Sequence, residues 1–119
     1  MRRALLLAVS MCALALAIAG ASAASSTKPK TVKVKVSDDY YAPVKLTVKA
    51  GTKIRWVWVD GNYDTHDVRL GRHPKGVKKF KSELAASDFS FSRKLTVPGT
   101  YKIFCSIHRT MRQTIVVKR

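Results

Sequence analysis

Thr31-Val32-Lys33-Val34-Lys35-Val36 alternates apolar and cationic side chains without a break. Period two predicts a strand with one face buried and one face in water. Tyr40-Tyr41-Ala42-Pro43 interrupts the pattern, and Val44, Leu46 and Val48 resume it against Lys45, Thr47 and Lys49. Ala50-Gly51-Thr52 reads as a turn. Ile54-Arg55-Trp56-Val57-Trp58-Val59 is the densest apolar stretch, and its β-branched and aromatic content predicts a central strand. Asp60-Gly61-Asn62 closes that strand with turn-forming residues.

Further along, a short strand is expected around His66 to Leu70, and Gly71 to Lys81 reads as a loop. Leu84-Ala85-Ala86 could form one helical turn. Phe89, Phe91 and Leu95 mark another strand, and Pro98-Gly99 a turn. Tyr101 to Cys105 and Thr114 to Lys118 are the last two strands. Short strands at regular spacing with almost no helix predict an all-β fold, an antiparallel β-sandwich or barrel.

The first residues are set apart as a signal peptide over 1–23. Arg2 and Arg3 form a basic lead, Ala4 to Ala19 is apolar, and Ala21-Ser22-Ala23 fits an A-x-A cleavage site. The apolar run is short for a membrane span, which needs about 20 residues. A flexible lead over 24–30 follows, and residues 31–119 make a single domain, long enough for one core. Loss of Arg2 and Arg3 takes the formal charge from +16 to +14. Loss of Cys12 leaves Cys105 as the sole thiol. Exported chains usually pair their cysteines. A lone thiol must be buried, paired with another molecule, or held as thiolate by a metal, and coordination is the favoured reading.

Cys105-Ser106-Ile107-His108-Arg109-Thr110-Met111 is the reason. It places a thiol, an imidazole and a thioether on one loop between adjacent strands. Thiolate with imidazole suits copper or zinc, and a thioether tips the choice to copper. His66, arriving from a separate strand, is the candidate second imidazole. His73, in a Gly- and Lys-rich loop, reads as a solvated side chain, and Trp56 and Trp58 read as core. Asp64 and Asp67 beside His66 do not make a hard-cation site, which would want several oxygens and no thiolate.

With these residues in view, the chain resembles the cupredoxin family of blue type 1 copper proteins. The resemblance runs through Tyr41-Ala42-Pro43, Leu46 to Gly51, Ile54-Arg55-Trp56, the isolated His66, and Gly99 to Met111. The Cys-x-x-His-x-x-Met spacing is similar to amicyanin; plastocyanin has a longer His-to-Met segment. The resemblance implies a Greek-key sandwich holding one copper, with Cys105 as thiolate ligand, His66 and His108 as imidazole ligands, and Met111 as a long axial ligand. It implies one-electron transfer between redox partners rather than enzymatic turnover, with periplasmic copper carriage or storage as the alternative. It also implies an apolar docking patch beside His108, for which Tyr41, Ala42, Pro43 and Ile107 are the candidates. Two departures stand out: Asp67 where the family commonly has Asn, and Gln113 where it often has Gly.

The positive charge could suggest nucleic acid. Most lysines, however, occupy alternating strand positions, as solvated faces do, and only Lys75, Lys78, Lys79 and Lys81 are concentrated. A monomer meeting an acidic redox partner, or an anionic membrane or wall surface, fits an exported chain better, with association steered by charge.

Overall fold

The computed structural model describes residues 20–22 and 27–119. The expected signal peptide lies outside them apart from Gly20 to Ser22. Eight strands form: β1 (Thr31–Ser37), β2 (Tyr40–Ala42), β3 (Lys45–Lys49), β4 (Thr52–Trp58), β5 (Arg69–Leu70), β6 (Ser90–Leu95), β7 (Gly99–Phe104) and β8 (Arg112–Lys118). There is no helix among the described residues. Leu84-Ala85-Ala86 makes no helical turn; Ala85 instead forms an isolated bridge with His66.

The strands build two four-stranded sheets, ordered β2-β1-β4-β6 and β3-β8-β7-β5. The sandwich expected from the alternation is therefore present. Its strands are mixed, since β1 runs parallel to β4 and β3 parallel to β8. Period two is the same for either direction, so the sequence pattern does not distinguish them. Only directly connected neighbours are obliged to be antiparallel hairpins, and β2 and β3 intervene between β1 and β4. β2 also uses Tyr40 to Ala42, where the alternation breaks off.

The core lies between the sheets. On one side, Val34 pairs with Trp56 and Val36 with Trp58, and all four are buried. On the other, Tyr101 pairs with Ile115 and Val48 with Val117, again all buried. Full burial of each Val or Ile contributes roughly 1.5–3 kcal/mol. Trp56 sits at 5.9–6.1 Å, centroid to centroid, from Phe91 and Phe80. The Arg93 guanidinium covers the Phe91 ring at 4.3 Å.

Gln113 belongs to this core and is 1% exposed. Its Oε1 accepts from Trp56 Nε1 at 3.0 Å, and its Nε2 donates to the Pro43 carbonyl at 2.7 Å. A glycine there could make neither bond, so the glutamine stitches β8 to the facing sheet. The Tyr101 hydroxyl donates to the Val97 carbonyl at 2.7 Å and pins the turn before β7.

That turn yields a stability prediction. Gly99 has φ +138°, and an added Cβ would lie 2.6 Å from Pro74 Cγ. Gly51 has φ +90° with open space around it. Gly99→Ala adds a clash to backbone strain and should cost about 1–3 kcal/mol, measurably more than Gly51→Ala, in urea unfolding.

Candidate metal centre

Eight residues after Trp58 closes β4, the chain reaches His66, and short-range bonds fix it there. The Trp58 indole donates to the His66 carbonyl at 3.1 Å. The His66 N–H donates to Ala85 O at 2.9 Å, and the Ala85 N–H donates back to His66 O at 3.1 Å. Two residues on, the Val68 N–H donates to Ser82 Oγ and the Ser82 N–H to Val68 O, each at 2.9 Å. His66 is thus clamped between β4 and the 82–85 segment, and it is fully buried.

Cys105 directly follows β7 and is 3% exposed. The loop it opens is closed by backbone bonds: Met111 N–H to His108 O and Cys105 N–H to Met111 O, both 3.1 Å. Met111 is fully buried. His108 turns inward from the same loop, with its side chain 20% exposed.

The ligating atoms of His66, Cys105 and His108 all lie within 4.8 Å of one another. His108 Nδ1 stands 3.1 Å from His66 Nδ1 and 3.6 Å from Cys105 Sγ. His66 Nε2 lies 2.9 Å from Asp38 Oδ1, which assigns the proton to Nε2 and leaves the Nδ1 lone pair facing inward. His108 Nε2 faces outward, 3.6 Å from Asp64 Oδ2 and 3.8 Å from Asp39 Oδ1. Carboxylates on that side likewise favour a proton on Nε2. Two imidazole lone pairs then converge beside a thiol, and only a proton or a metal ion between them relieves their repulsion. One thiol and two imidazoles, with a buried thioether on the same loop, form a soft donor set that fits copper. His73 lies apart, its Nδ1 2.9 Å from the Pro74 carbonyl.

Asp38 was not anticipated from the sequence. Its carboxylate also accepts the Tyr63 and Asp64 N–H groups at 2.8 and 3.3 Å. The Tyr63 N–H first, and His66 next, hold its carboxyl below the usual range. The available signal was local acidity: five of the seven acidic residues fall between positions 38 and 67.

Asp67 is fully buried, and its carboxylate ties the two ligand-bearing segments together. Oδ1 accepts the Ser106 N–H, and Oδ2 accepts both the Ser106 hydroxyl and Arg69 Nε, all at 2.7 Å. Burial alone would raise this carboxyl. The Ser106 N–H, the Arg69 guanidinium and the Ser106 hydroxyl together outweigh it and hold it low. Where asparagine would bridge as a neutral group, this chain bridges as an anion and supplies its own cation two residues on.

The expected docking patch needs one correction. Tyr41 is fully buried, its hydroxyl donating to the Asp67 carbonyl, so it belongs to the scaffold. Burial raises its pKa far above the phenol range, and the nearby Cys105 and Asp67 add to this. The large apolar groups exposed at this end are Ile107, Val44, Tyr40, Tyr63 and Leu84.

The description "cupredoxin-like domain" attaches to the family model that matches residues 10–117. Amicyanin from Paracoccus versutus is 28% identical over 78 residues, covering 66% of this chain and 58% of that protein. Amicyanin-alpha from Methylorubrum extorquens is 26% identical over 84 residues, covering 71% of this chain and 69% of that one. Among solved structures, a reduced amicyanin mutant superposes with a TM-score of 0.64 at 25% identity, over 74% of this chain and 82% of that one. A copper-containing nitrite reductase from Thermus scotoductus gives 0.67 at 25% identity, over 78% of this chain and only 23% of the reductase.

Two outcomes follow from the geometry. Asp38→Asn removes the anion that fixes the His66 tautomer and should weaken Cu(II) binding about 10–100-fold in chelator competition. Arg69→Ala strands a buried carboxylate and should cost about 1–3 kcal/mol in urea unfolding. Adding Asp67→Asn to Arg69→Ala should recover part of that loss, a coupling that a double-mutant cycle measures directly.

Proposed function

The chain belongs to the cupredoxin-like domain family, and from that premise we propose that it is a small exported copper protein carrying single electrons between redox partners. The observation that carries this reading is the convergence of His66 Nδ1, His108 Nδ1 and Cys105 Sγ within 4.8 Å at a buried end of the sandwich. Cys105, His66 and His108 would hold the metal, with Met111 as the axial donor. Copper bound there would supply one-electron chemistry by alternating between Cu(II) and Cu(I).

The protein's own residues account for the rest. Asp38 holds the His66 ring in one tautomer and one orientation. Asp67 holds the N-terminal end of the ligand loop through Ser106. Trp58 and Ala85 hold the His66 backbone. A donor set fixed by bonds that need no metal resists rearrangement when the charge at its centre changes, which favours rapid electron exchange. Near-complete burial of His66, Cys105 and Met111 excludes water and leaves no face open to a substrate, in keeping with a carrier rather than an enzyme.

His108 is the one donor whose side chain reaches solvent, so electrons would leave and enter across its outer edge. Around that edge lie Ile107 on the apolar side and Asp39 and Asp64 near Nε2, with exposed Arg109 on the loop and exposed Arg112 opening β8. A partner with acidic groups opposite Arg109 and Arg112 fits this rim. Export to the periplasm rests on the basic, apolar and A-x-A segments of residues 1–23.

Voltammetry of the copper-loaded protein on an electrode separates carriage of electrons from carriage of copper. The expected result is a reversible one-electron wave with copper retained against a Cu(I) chelator. Sluggish, irreversible electron exchange with ready release of Cu(I) would instead mean copper handling.

A further inference from the structure

The charges of this chain are sorted along the sandwich axis. All seven carboxylate side chains lie in the half that holds the metal centre. Asp38 and Asp39 follow the end of β1, and Asp60, Asp64 and Asp67 follow the end of β4. Glu83 adjoins Ser82, which bonds Val68, and Asp88 adjoins Phe89, whose carbonyl accepts the Trp58 N–H. At the other end, where β1 and β4 begin and β3, β6 and β8 finish, the side chains are of opposite sign. Lys28, Lys30, Lys49, Lys94, Lys118 and Arg119 ring a hollow of about 930 Å³ that no acidic side chain lines. Val32, Leu46 and Val48 form its apolar floor. Strand β4 separates the two ends by ~20 Å, about two screening lengths at physiological salt. The carboxylates of one end therefore do little to cancel the attraction exerted by the other.

We propose that this basic pole is a docking face for an anionic phospholipid bilayer, holding the protein with its metal centre turned away from the membrane. Two features favour lipid over other polyanions. A cationic ring with an apolar floor matches the boundary between headgroups and acyl chains, where lysine stems lie along apolar groups and their ammonium groups reach phosphate. No aromatic side chain lines the hollow to stack on nucleotide bases. The metal end, where carboxylates offset the cations, offers no comparable basic surface, which sets the orientation. Docking in this way leaves His108 free for a soluble partner, and it does not require the metal to be bound.

The test uses the protein as recovered from the cell envelope, with vesicles of phosphatidylglycerol and phosphatidylcholine, and vesicles of phosphatidylcholine alone. The triple variant Lys49→Gln, Lys94→Gln, Lys118→Gln is compared with Lys35→Gln, Lys45→Gln, Lys102→Gln, which removes the same charge from strand positions that do not line the hollow. All six lysines are exposed, and urea unfolding confirms that each variant folds. The expected result is binding to the anionic vesicles only, weakened on the order of 100-fold by the pole variant and far less by the strand-face variant. Equal losses in the two variants would reduce the effect to net charge and overturn the proposal. Equal binding to neutral vesicles would assign retention to apolar insertion, and stronger retention by duplex DNA than by anionic vesicles would assign the pole to nucleic acid; either result also overturns it.

Discussion

A single buried carboxylate joins the two halves of the metal end. Asp67 is carried by the segment that presents His66, and it holds Ser106, the residue after Cys105, through both backbone and hydroxyl. His66 and Cys105 come from segments 39 residues apart in the chain, and no hairpin connects them. Pairing of β5 with β7 lays the two segments side by side, and this joint fixes the loop that follows Cys105 to the end of that ladder. A buried anion is tolerable only when it is paired and fully hydrogen-bonded. Arg69, two residues away, and the Ser106 donors meet that condition. Tyr41 closes the cluster from β2 by donating to the Asp67 carbonyl.

Much of this was legible in the sequence, and the rest was hidden for physical reasons. Alternation in Thr31–Val36 and Ile54–Trp58 marked the core faces correctly, because burial follows the same period as the side chains. It said nothing about direction, so the parallel pairings of β1 with β4 and β3 with β8 emerged only from the topology. Cys105 and His108 were visible through their spacing on one loop. His66 depended on a fold-level contact, and the structure brings its Nδ1 to 3.1 Å from that of His108. Tyr41 entered the expected docking patch through the family resemblance alone, yet β2 turns it inward. Asp38 escaped notice because a carboxylate at a strand end is ordinarily solvated. Its meaning comes from a neighbour 28 positions away.

Both departures from the family pattern become intelligible together. Gln113 fills space that glycine would leave and spends both ends of its amide on Trp56 and Pro43, so no polar atom is stranded in the core. Asp67 brings charge into a place where a neutral bridge would serve, and Arg69 balances it. Each substitution is accommodated locally, without displacing any of the converging donors. On the larger scale, the acidic residues gather around the donors while the cations occupy the strand faces and the far pole. A protein of formal charge +16 can thus show a partner a mixed-sign rim at one end and a uniformly basic surface at the other.

The central claim is that Cys105, held beside two inward-facing imidazoles, binds copper as a thiolate. Titrating Cu(II) into the metal-free protein while recording its visible spectrum tests it most directly. The account predicts an intense thiolate-to-copper charge-transfer band that saturates at one equivalent and is absent from Cys105→Ser. A weak spectrum, the same in both proteins, would contradict it.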